Sequence, residues 1–383
     1  MKRFKTCFRG KKVVVTGHTG FKGSWLAAWL KLCGAHVTGI ALDPPSSPAH
    51  FDCLTAADIF GNDMVDNRVD IWDADSISEI IRVAQPDFVF HMAAQPIVRA
   101  SYDDPATTYS TNVIGTLNVL EALRHLQAPC AAVMITSDKA YRNHEWEWGY
   151  REHDELGGAD PYSASKAAAE LVIRSHIESF FPADGMVRVA VGRAGNVIGG
   201  GDWAASRIVP DCARSWAAGE PAVIRSPNST RPWQHVLEPL GGYMALAASL
   251  AGSDVNHGEA FNFGPPQVSD HPVRDVANAL MDHLPGFVWE DHSVGQVGVH
   301  EAGLLKLNCD KALARLGWHA ALSFDETMQF TGAWYKSYYT EPEIISAVTM
   351  AQIGDYAKVL EDRLPARFAA DAQGKNADHG VSG

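Results

Sequence analysis

Tyr162 and Lys166 stand four residues apart in Tyr-Ser-Ala-Ser-Lys, at the start of a segment with helical spacing. That spacing sets a phenol and an ammonium on one helix face. A neighbouring ammonium stabilises phenolate and draws the tyrosine pKa toward the working range. A phenol tuned in this way can take the proton of an alcohol while hydride leaves the same carbon. Tyr-x-x-x-Lys also arises by chance in many helices, so the pair needs context. The context is an apolar run, Ala131–Thr136, that ends at Ser137-Asp138-Lys139 one loop earlier. The Ser137 hydroxyl either hydrogen-bonds the same substrate oxygen or caps the turn that follows.

A second group of residues suits a phosphorylated ligand. Gly17-His18-Thr19-Gly20-Phe21-Lys22-Gly23 follows a β-branched run, Lys12–Thr16, and opens an apolar helix. Small residues there let the chain turn tightly, bring N–H groups up to a pyrophosphate and pack the helix close to the strand. The strand before and the helix after the glycines make this a dinucleotide loop. Asp43 lies at the end of the second strand, His36–Ala41. It either accepts hydrogen bonds from the adenosine ribose, which favours NAD over NADP, or starts the Pro44-Pro45 turn. Asp70-Ile71 is placed to hold the adenine amino group. Ala93-Ala94-Gln95 follows the strand Phe88–His91, where small residues let a cofactor lie against the backbone or serve close packing. His18 and Lys22 are unusual in such a loop. The larger His18 side chain is expected to crowd the approach to the pyrophosphate, with Lys22 offsetting this through its charge, so that NAD is partly lost on purification.

These residues need a frame of alternating strands and helices. Helical segments are expected over Ser24–Cys33, Ile77–Ala84, Asn112–Leu126 and Tyr162–Phe181, with a further strand over Met186–Gly192. Alternation at this pitch implies right-handed crossovers and a Rossmann-type, doubly wound parallel α/β sheet covered by helices on both faces. After about Asn196 the chain becomes rich in Gly, Pro and Trp, with short strands at Ala222–Arg225 and Ala260–Phe263, and reads as a smaller mixed α/β substrate lobe. The expected division is a cofactor domain over 1–195 to which some later segments return, a substrate lobe over 196–345, and a C-terminal helix with a mobile tail over 346–383.

Composition narrows the function classes. The chain has 383 residues, 46% of them hydrophobic, and a net charge of −13, which suits a globular protein and disfavours nucleic acid or an anionic membrane as partner. The cysteines Cys7, Cys33, Cys53, Cys130, Cys212 and Cys309 form no Cys-x-x-Cys pair and read as reduced. No metal spacing is evident, and His50, His91, His125 and His176 are expected to cap or pack. The basic N-terminus lacks an apolar secretory segment, and no run reaches membrane length, so a cytoplasmic enzyme is expected.

Glycine loop, Ser137, Tyr162 and Lys166, in this order, resemble the extended short-chain dehydrogenase/reductase family over about residues 12–340. The strings TGHTGFKGSWL, ALDPPSSP, AAQPIVRASYDDP, TSDK, EWEWGYRE, DPYSASK, RAGNVIGGGDWA and RPWQHVLEPL narrow the resemblance to its NAD-dependent nucleotide-sugar 4,6-dehydratases, and among them to the subfamily acting on CDP-glucose. The resemblance implies a CDP-sugar substrate, bound NAD, and a product that feeds deoxysugar and surface-glycan synthesis. It places Arg231 on the substrate pyrophosphate, where a forked guanidinium suits two oxygens. Arg193 and Asn196 fall at the mouth of the cleft with Asn196 on the sugar nucleotide, and His300 and Glu301 close over the nucleotide. Relatives carry Asp-Glu where this chain has Asp138-Lys139. By position Asp138 is the acid for the departing hydroxyl, its pKa raised by burial. Lys139 is either the base at the sugar's C5 or an ion-pair partner. The helices Asn112–Leu126 and Tyr162–Phe181 resemble the pair that forms the dimer interface of relatives, which implies a homodimer or a dimer of dimers. A 4-epimerase, or a dehydratase of a dTDP-, GDP- or UDP-sugar, shares Ser, Tyr and Lys; Asp138 speaks against the epimerase. A non-catalytic dinucleotide sensor would have no need of Tyr162 and Lys166.

Overall fold

Three consecutive valines at 13–15 leave the first strand no solvent face, and it lies inside the sheet. The computed structural model describes residues 1–205, 207–266, 271–293 and 304–364. The chain opens with α1 (Lys2–Phe8), β1 (Lys12–Thr16), α2 (Phe21–Leu32), β2 (His36–Ala41), α3 (His50–Ala56), β3 (Met64–Arg68), α4 (Ala74–Ala84) and β4 (Phe88–His91). It continues through α5 (Val98–Asp103), α6 (Pro105–Tyr109), a π turn at Ser110–Ile114, α7 (Gly115–Arg124), β5 (Cys130–Ile135), a 3₁₀ turn at Asp138–Ala140, α8 (Pro161–Phe180) and β6 (Val187–Ala194). Then follow β7 (Val197–Ile198), α9 (Ile208–Ala218), β8 (Ala222–Ile224), β9 (Thr230–Arg231), β10 (Gln234–His235), α10 (Leu237–Gly252) and β11 (Ala260–Phe263). The last elements are β12 (His271–Pro272), α11 (Val273–His283), β13 (Trp289–Asp291), α12 (Asp310–Leu316), α13 (Phe324–Thr340) and α14 (Ile345–Asp362).

Seven strands pair in the order β11-β6-β5-β4-β1-β2-β3, all parallel. The period of two along each strand sorts side chains between two cores. Val13, Val15, Phe88, Phe90, Ala131 and Val133 face α2 and α10, where Trp25, Trp29, Leu240 and Tyr243 are buried. Val14, Val89, Ala132 and Met134 face α4, α7 and α8, against Ile77, Ile81, Val119, Leu123 and Ile173. Strand order reverses between β4 and β2 on either side of β1, and the carboxyl ends of these strands form the crevice where such sheets bind ligands. The later segments make three two-stranded pairs, β7 with β10, β9 with β12, and β8 with β13.

Two elements differ from the sequence expectation. The basic N-terminal stretch forms α1, because Phe4 and Phe8 at i and i+4 are buried and Phe8 packs 4.7 Å from Phe88. The helix expected over Asn112–Leu126 is a π turn followed by α7, so Asn112 sits where the backbone is widened. The expected tail from residue 365 onward lies outside the described residues. Among the described residues no helix is long and apolar enough to cross a membrane, and all six cysteines are free thiols.

Candidate active site

The glycine loop occupies the crevice at the carboxyl end of β1. Gly17 has φ +76°, and a Cβ there would come within 2.9 Å of the Ala93 backbone. A Cβ on Gly23 would lie 2.0 Å from the Gly17 carbonyl oxygen, so both positions demand glycine. Gly20 caps the N-terminus of the twelve-residue α2, and around it the nearest neighbour of an added Cβ is 3.4 Å away. A helix N-terminus opening from a tight glycine turn at the end of β1 fits a dinucleotide pyrophosphate.

His18 does not crowd that space. Its ring is fully buried, lies where a Cβ on Gly39 would be 2.5 Å away, and meets Phe51 edge-on at 5.2 Å. Its Nε2 hydrogen-bonds Asp66 Oδ1 at 2.8 Å. The side chain has turned under the loop into the β2–β3 surface, which corrects the expectation of a blocked pyrophosphate approach. Burial holds its pKa below the ordinary value despite Asp66. Thr19 Oγ donates to the Leu42 carbonyl at 2.9 Å, and Phe21 packs against the core. Half-buried Lys22 is pushed down to about 8, by burial first and by the charge of Arg207 second, with Asp138 opposing.

The expected adenosine end is built as follows. Asp43 is exposed and receives Arg68 Nη1 at 3.2 Å. Asp70 is half-buried and accepts from the Trp72 amide at 3.0 Å, a turn contact that leaves its other oxygen available. Ile71 is buried against Gly115, and its carbonyl accepts from Asn118 at 2.9 Å. The Ala93 amide donates to Thr16 Oγ, Gln95 is tied to Asn112 and Thr108, and Ala94 is half-buried between them.

Proline at N1 and an Asp160 side chain accepting from the Ser163 amide start α8 immediately before Tyr162. Tyr162 and Lys166 are both buried. Burial pushes the phenol up to about 12, while a hydrogen bond with Ser137 and the charge of Arg207 pull it down. This differs from the expectation that the neighbouring Lys166 draws the phenol toward the working range: burial outweighs the opposing hydrogen bond and the charge of Arg207. Lys166 is lowered to about 8, by burial first and by Lys22 second, with Glu170 opposing. Ser137 caps the 3₁₀ turn as one of its two expected roles has it, its oxygen accepting from the Lys139 amide at 3.2 Å, and its hydroxyl donates to Asp138 Oδ1 at 2.9 Å. Asp138 is buried, and that burial raises its carboxyl above the usual range against Lys139, Ser137 and Lys22. A Cβ on Gly195 would sit 2.7 Å from its Oδ2, so Gly195 makes room for the carboxyl. Lys139 is half-buried on the same turn. The phenol, serine and carboxyl are therefore buried together with the cation Lys166, and the half-buried cations Lys22, Lys139 and Arg207 act on them electrostatically, an arrangement able to move protons on an alcohol and its neighbours.

Arg193 is not at the cleft mouth. It is buried, with Nε and Nη2 donating to Glu170 at 2.7 and 2.8 Å, and Nη1 donating to Tyr141 Oη at 2.7 Å and the Glu152 carbonyl at 2.9 Å. Its guanidinium lies 4.8 Å over the Tyr141 ring. With four of five donors engaged inside the protein, it supports the site rather than contacting substrate. Asn196 is half-buried between β6 and β7. Arg231 is half-buried on β9, its Nη1 donating to the Thr230 carbonyl at 2.7 Å. His300 and Glu301 lie outside the described residues. His91 bridges Thr16 and Thr116 at 2.8 and 3.0 Å, and burial, with Lys166 adding, drops it to about 3, so it packs as a neutral ring.

The sequence pattern described as GDP-mannose 4,6 dehydratase matches residues 14–331. The chain belongs to this family. Within it, the chain is 43% identical over 361 residues to a CDP-glucose 4,6-dehydratase of Salmonella typhimurium, covering 92% of this chain and 98% of that one. It is 29% identical to a dTDP-glucose 4,6-dehydratase of Streptomyces antibioticus, covering 85% of this chain and 92% of the relative. Among solved structures, a UDP-glucuronic acid 4-epimerase of Bacillus cereus, in complex with UDP-glucuronic acid and NAD, superposes with a TM-score of 0.72 at 21% identity over 85% of this chain and 99% of that one, a likeness of fold. In this member of the GDP-mannose 4,6-dehydratase family, sequence reading missed several supports. Glu170 lies four residues beyond Lys166 on the same helix face and accepts from Thr136 Oγ at 2.5 Å. Asn112 receives the Gln95 amide and donates to Ser165 Oγ at 2.8 Å. Arg207, bound to Asp202 at 2.7 Å, adds charge beside Tyr162 and Lys22. The i+4 step from Lys166 was a usable signal for Glu170; nothing local marked the other two.

Proposed function

We propose that the protein is a CDP-glucose 4,6-dehydratase, a hydro-lyase that makes CDP-4-keto-6-deoxyglucose. Bound NAD supplies the hydride acceptor for oxidation and the hydride donor for the closing reduction. The chain handles binding and protons. Gly17, Gly20 and Gly23 admit the pyrophosphate, and Asp43, Asp70, Ile71, Ala93, Ala94 and Gln95 border the rest of the dinucleotide. Tyr162, with Ser137 on the same oxygen, takes the C4 hydroxyl proton, and Lys166 and Arg207 favour the phenolate. Once C4 is a ketone, the C5 proton is acidic; Lys139 takes it, and Asp138 protonates the departing C6 hydroxyl. Arg231 and Asn196 hold the sugar nucleotide.

The observation that carries this reading is the buried Asp138 hydrogen-bonded to Ser137 beside Tyr162, with a carboxyl pKa raised in the direction an acid needs. Identity of 43% to the Salmonella enzyme supports CDP-glucose as the substrate. The test is a panel of CDP-, dTDP-, GDP- and UDP-sugars, read by the alkaline absorbance of a 4-keto sugar. CDP-glucose should react fastest; a different best nucleotide would overturn the substrate.

A cofactor domain over 1–195, a substrate lobe over 196–345 and cytoplasmic location belong to the same proposal. So does a homodimer through α7 and α8, supported by large apolar side chains left exposed on that side: Tyr109, Ile114, Leu171 and Phe180 at 40, 47, 50 and 45%. Light scattering that gives a monomer at all concentrations would contradict the dimer.

A further inference from the structure

Arg68 stands at the end of β3, in register with Ala41 of β2, so its guanidinium lies beside Leu42 and Asp43. That is the strand end where sheets of this kind meet the adenosine ribose. An arginine there ordinarily suits the 2′-phosphate that distinguishes NADP from NAD, since its forked donors match phosphate oxygens. Here the fork is taken. Nε donates to Asp66 Oδ1 at 2.9 Å and Nη2 to Asp66 Oδ2 at 2.9 Å. Nη1 donates to Asp43 Oδ1 at 3.2 Å and reaches the Leu42 carbonyl at 3.4 Å. One guanidinium face lies 5.2 Å from the centre of the Phe51 ring. Asp66 is itself fixed from below by His18 Nε2 at 2.8 Å. Exposed ion pairs of this kind add little to stability, so their effect is on what the arginine can bind.

We infer that Arg68 is a latent 2′-phosphate receptor held closed by Asp66 and Asp43, and that the two carboxylates together select NAD over NADP. The trio carries one positive and two negative charges, so an incoming phosphate dianion meets net negative charge and no open fork. Replacing Asp43 alone removes repulsion and leaves the fork on Asp66. Replacing both leaves Arg68 unpaired by carboxylate beside the ribose. His18 becomes part of the selection because it fixes Asp66, which also accounts for its burial away from the pyrophosphate. The inference rests on the proposed role of Asp43 at the ribose.

Titration calorimetry of the purified protein with NAD⁺, NADP⁺ and 2′-AMP tests it. Asp43→Asn should weaken NAD⁺ and improve NADP⁺ modestly. Asp43→Asn with Asp66→Asn should raise the NADP⁺-to-NAD⁺ affinity ratio about tenfold or more beyond Asp43→Asn alone, the scale of one charge-assisted pair. The double variant should also bind 2′-AMP more tightly, and Arg68→Met added to it should abolish both gains. Asp66→Ser replaces Asp66→Asn if the latter does not fold. A double variant no better than Asp43→Asn, or a gain that survives Arg68→Met, would overturn the inference. Wild-type protein binding NAD⁺ and NADP⁺ equally would overturn the selection alone. Failure to bind NAD⁺ at all would overturn the cofactor reading beneath it.

Discussion

Arg193 separates a supporting role from a substrate contact, and the two predict opposite phenotypes. Arg193→Met removes the guanidinium that meets both Glu170 oxygens at 2.7 and 2.8 Å, with both side chains only 4% exposed. Breaking a buried pair by deleting one partner costs about 3–5 kcal/mol, because the remaining charge stays buried without compensation. Loss of the donor to Tyr141 and to the Glu152 carbonyl adds roughly 1 kcal/mol for each buried hydrogen bond. The expected deficit is therefore about 5–7 kcal/mol, a large part of the roughly 5–15 kcal/mol typical of a folded chain. Urea unfolding followed by tryptophan fluorescence measures it. Glu170→Leu in the same background should recover about 1–3 kcal/mol relative to the sum of the single losses, since no lone carboxylate then remains buried. Where Arg193→Met still folds, KM for the sugar nucleotide should change little. Wild-type stability together with a KM raised tenfold or more would refute the reasoning and return Arg193 to the cleft mouth.

Other predictions concern protons and pH. Tyr162→Phe should retain NAD and substrate binding but lose at least about 10²-fold in kcat, the scale of a general base; near-normal turnover would remove Tyr162 from the chemistry. Lys139→Met in heavy water should abolish both C5 exchange and elimination while C4 oxidation still occurs; C5 deuterium appearing at the wild-type rate would clear Lys139 as the base. Glu238 is buried at the start of α10, accepts from the Ala321 and Leu322 amides and the Tyr356 hydroxyl, and is raised to about 7 by burial. A carboxyl raised in the folded state favours folding below its unfolded pKa, and this contribution is lost as pH rises from about 4.5 toward 7. Glu238→Gln should therefore gain stability relative to wild type between pH 5 and pH 8, by up to about 3 kcal/mol; an identical pH profile for both proteins would contradict this.

Local signals carried the cofactor half. The glycines at 17, 20 and 23, the valine run before them, and the Tyr162–Lys166 step are all contained in short windows, and their roles follow from period and turn chemistry. Long-range pairing was not legible. Arg193 looked like a cleft residue because its partner Glu170 lies on another element 23 residues away and Tyr141 on a third. His18 looked obstructive because the acceptor that draws it downward, Asp66, is 48 residues further on, in an edge strand of mostly polar residues that gives little β signal. The π turn at Asn112 was hidden inside a pattern that also satisfies an ordinary helix. The phenol pKa was misjudged because spacing shows which cation is near but not how much water burial removes.

The most direct test of the account is one reaction: purified protein, NAD and CDP-glucose carrying deuterium at C4, run in ordinary water and read by NMR of the product. The account predicts CDP-4-keto-6-deoxyglucose with the C4 deuterium moved to C6 of the same molecule, because hydride taken from C4 returns to C6 after water is lost. A CDP-hexose inverted at C4 that keeps its deuterium at C4 and its C6 hydroxyl would contradict it and leave an epimerase in its place.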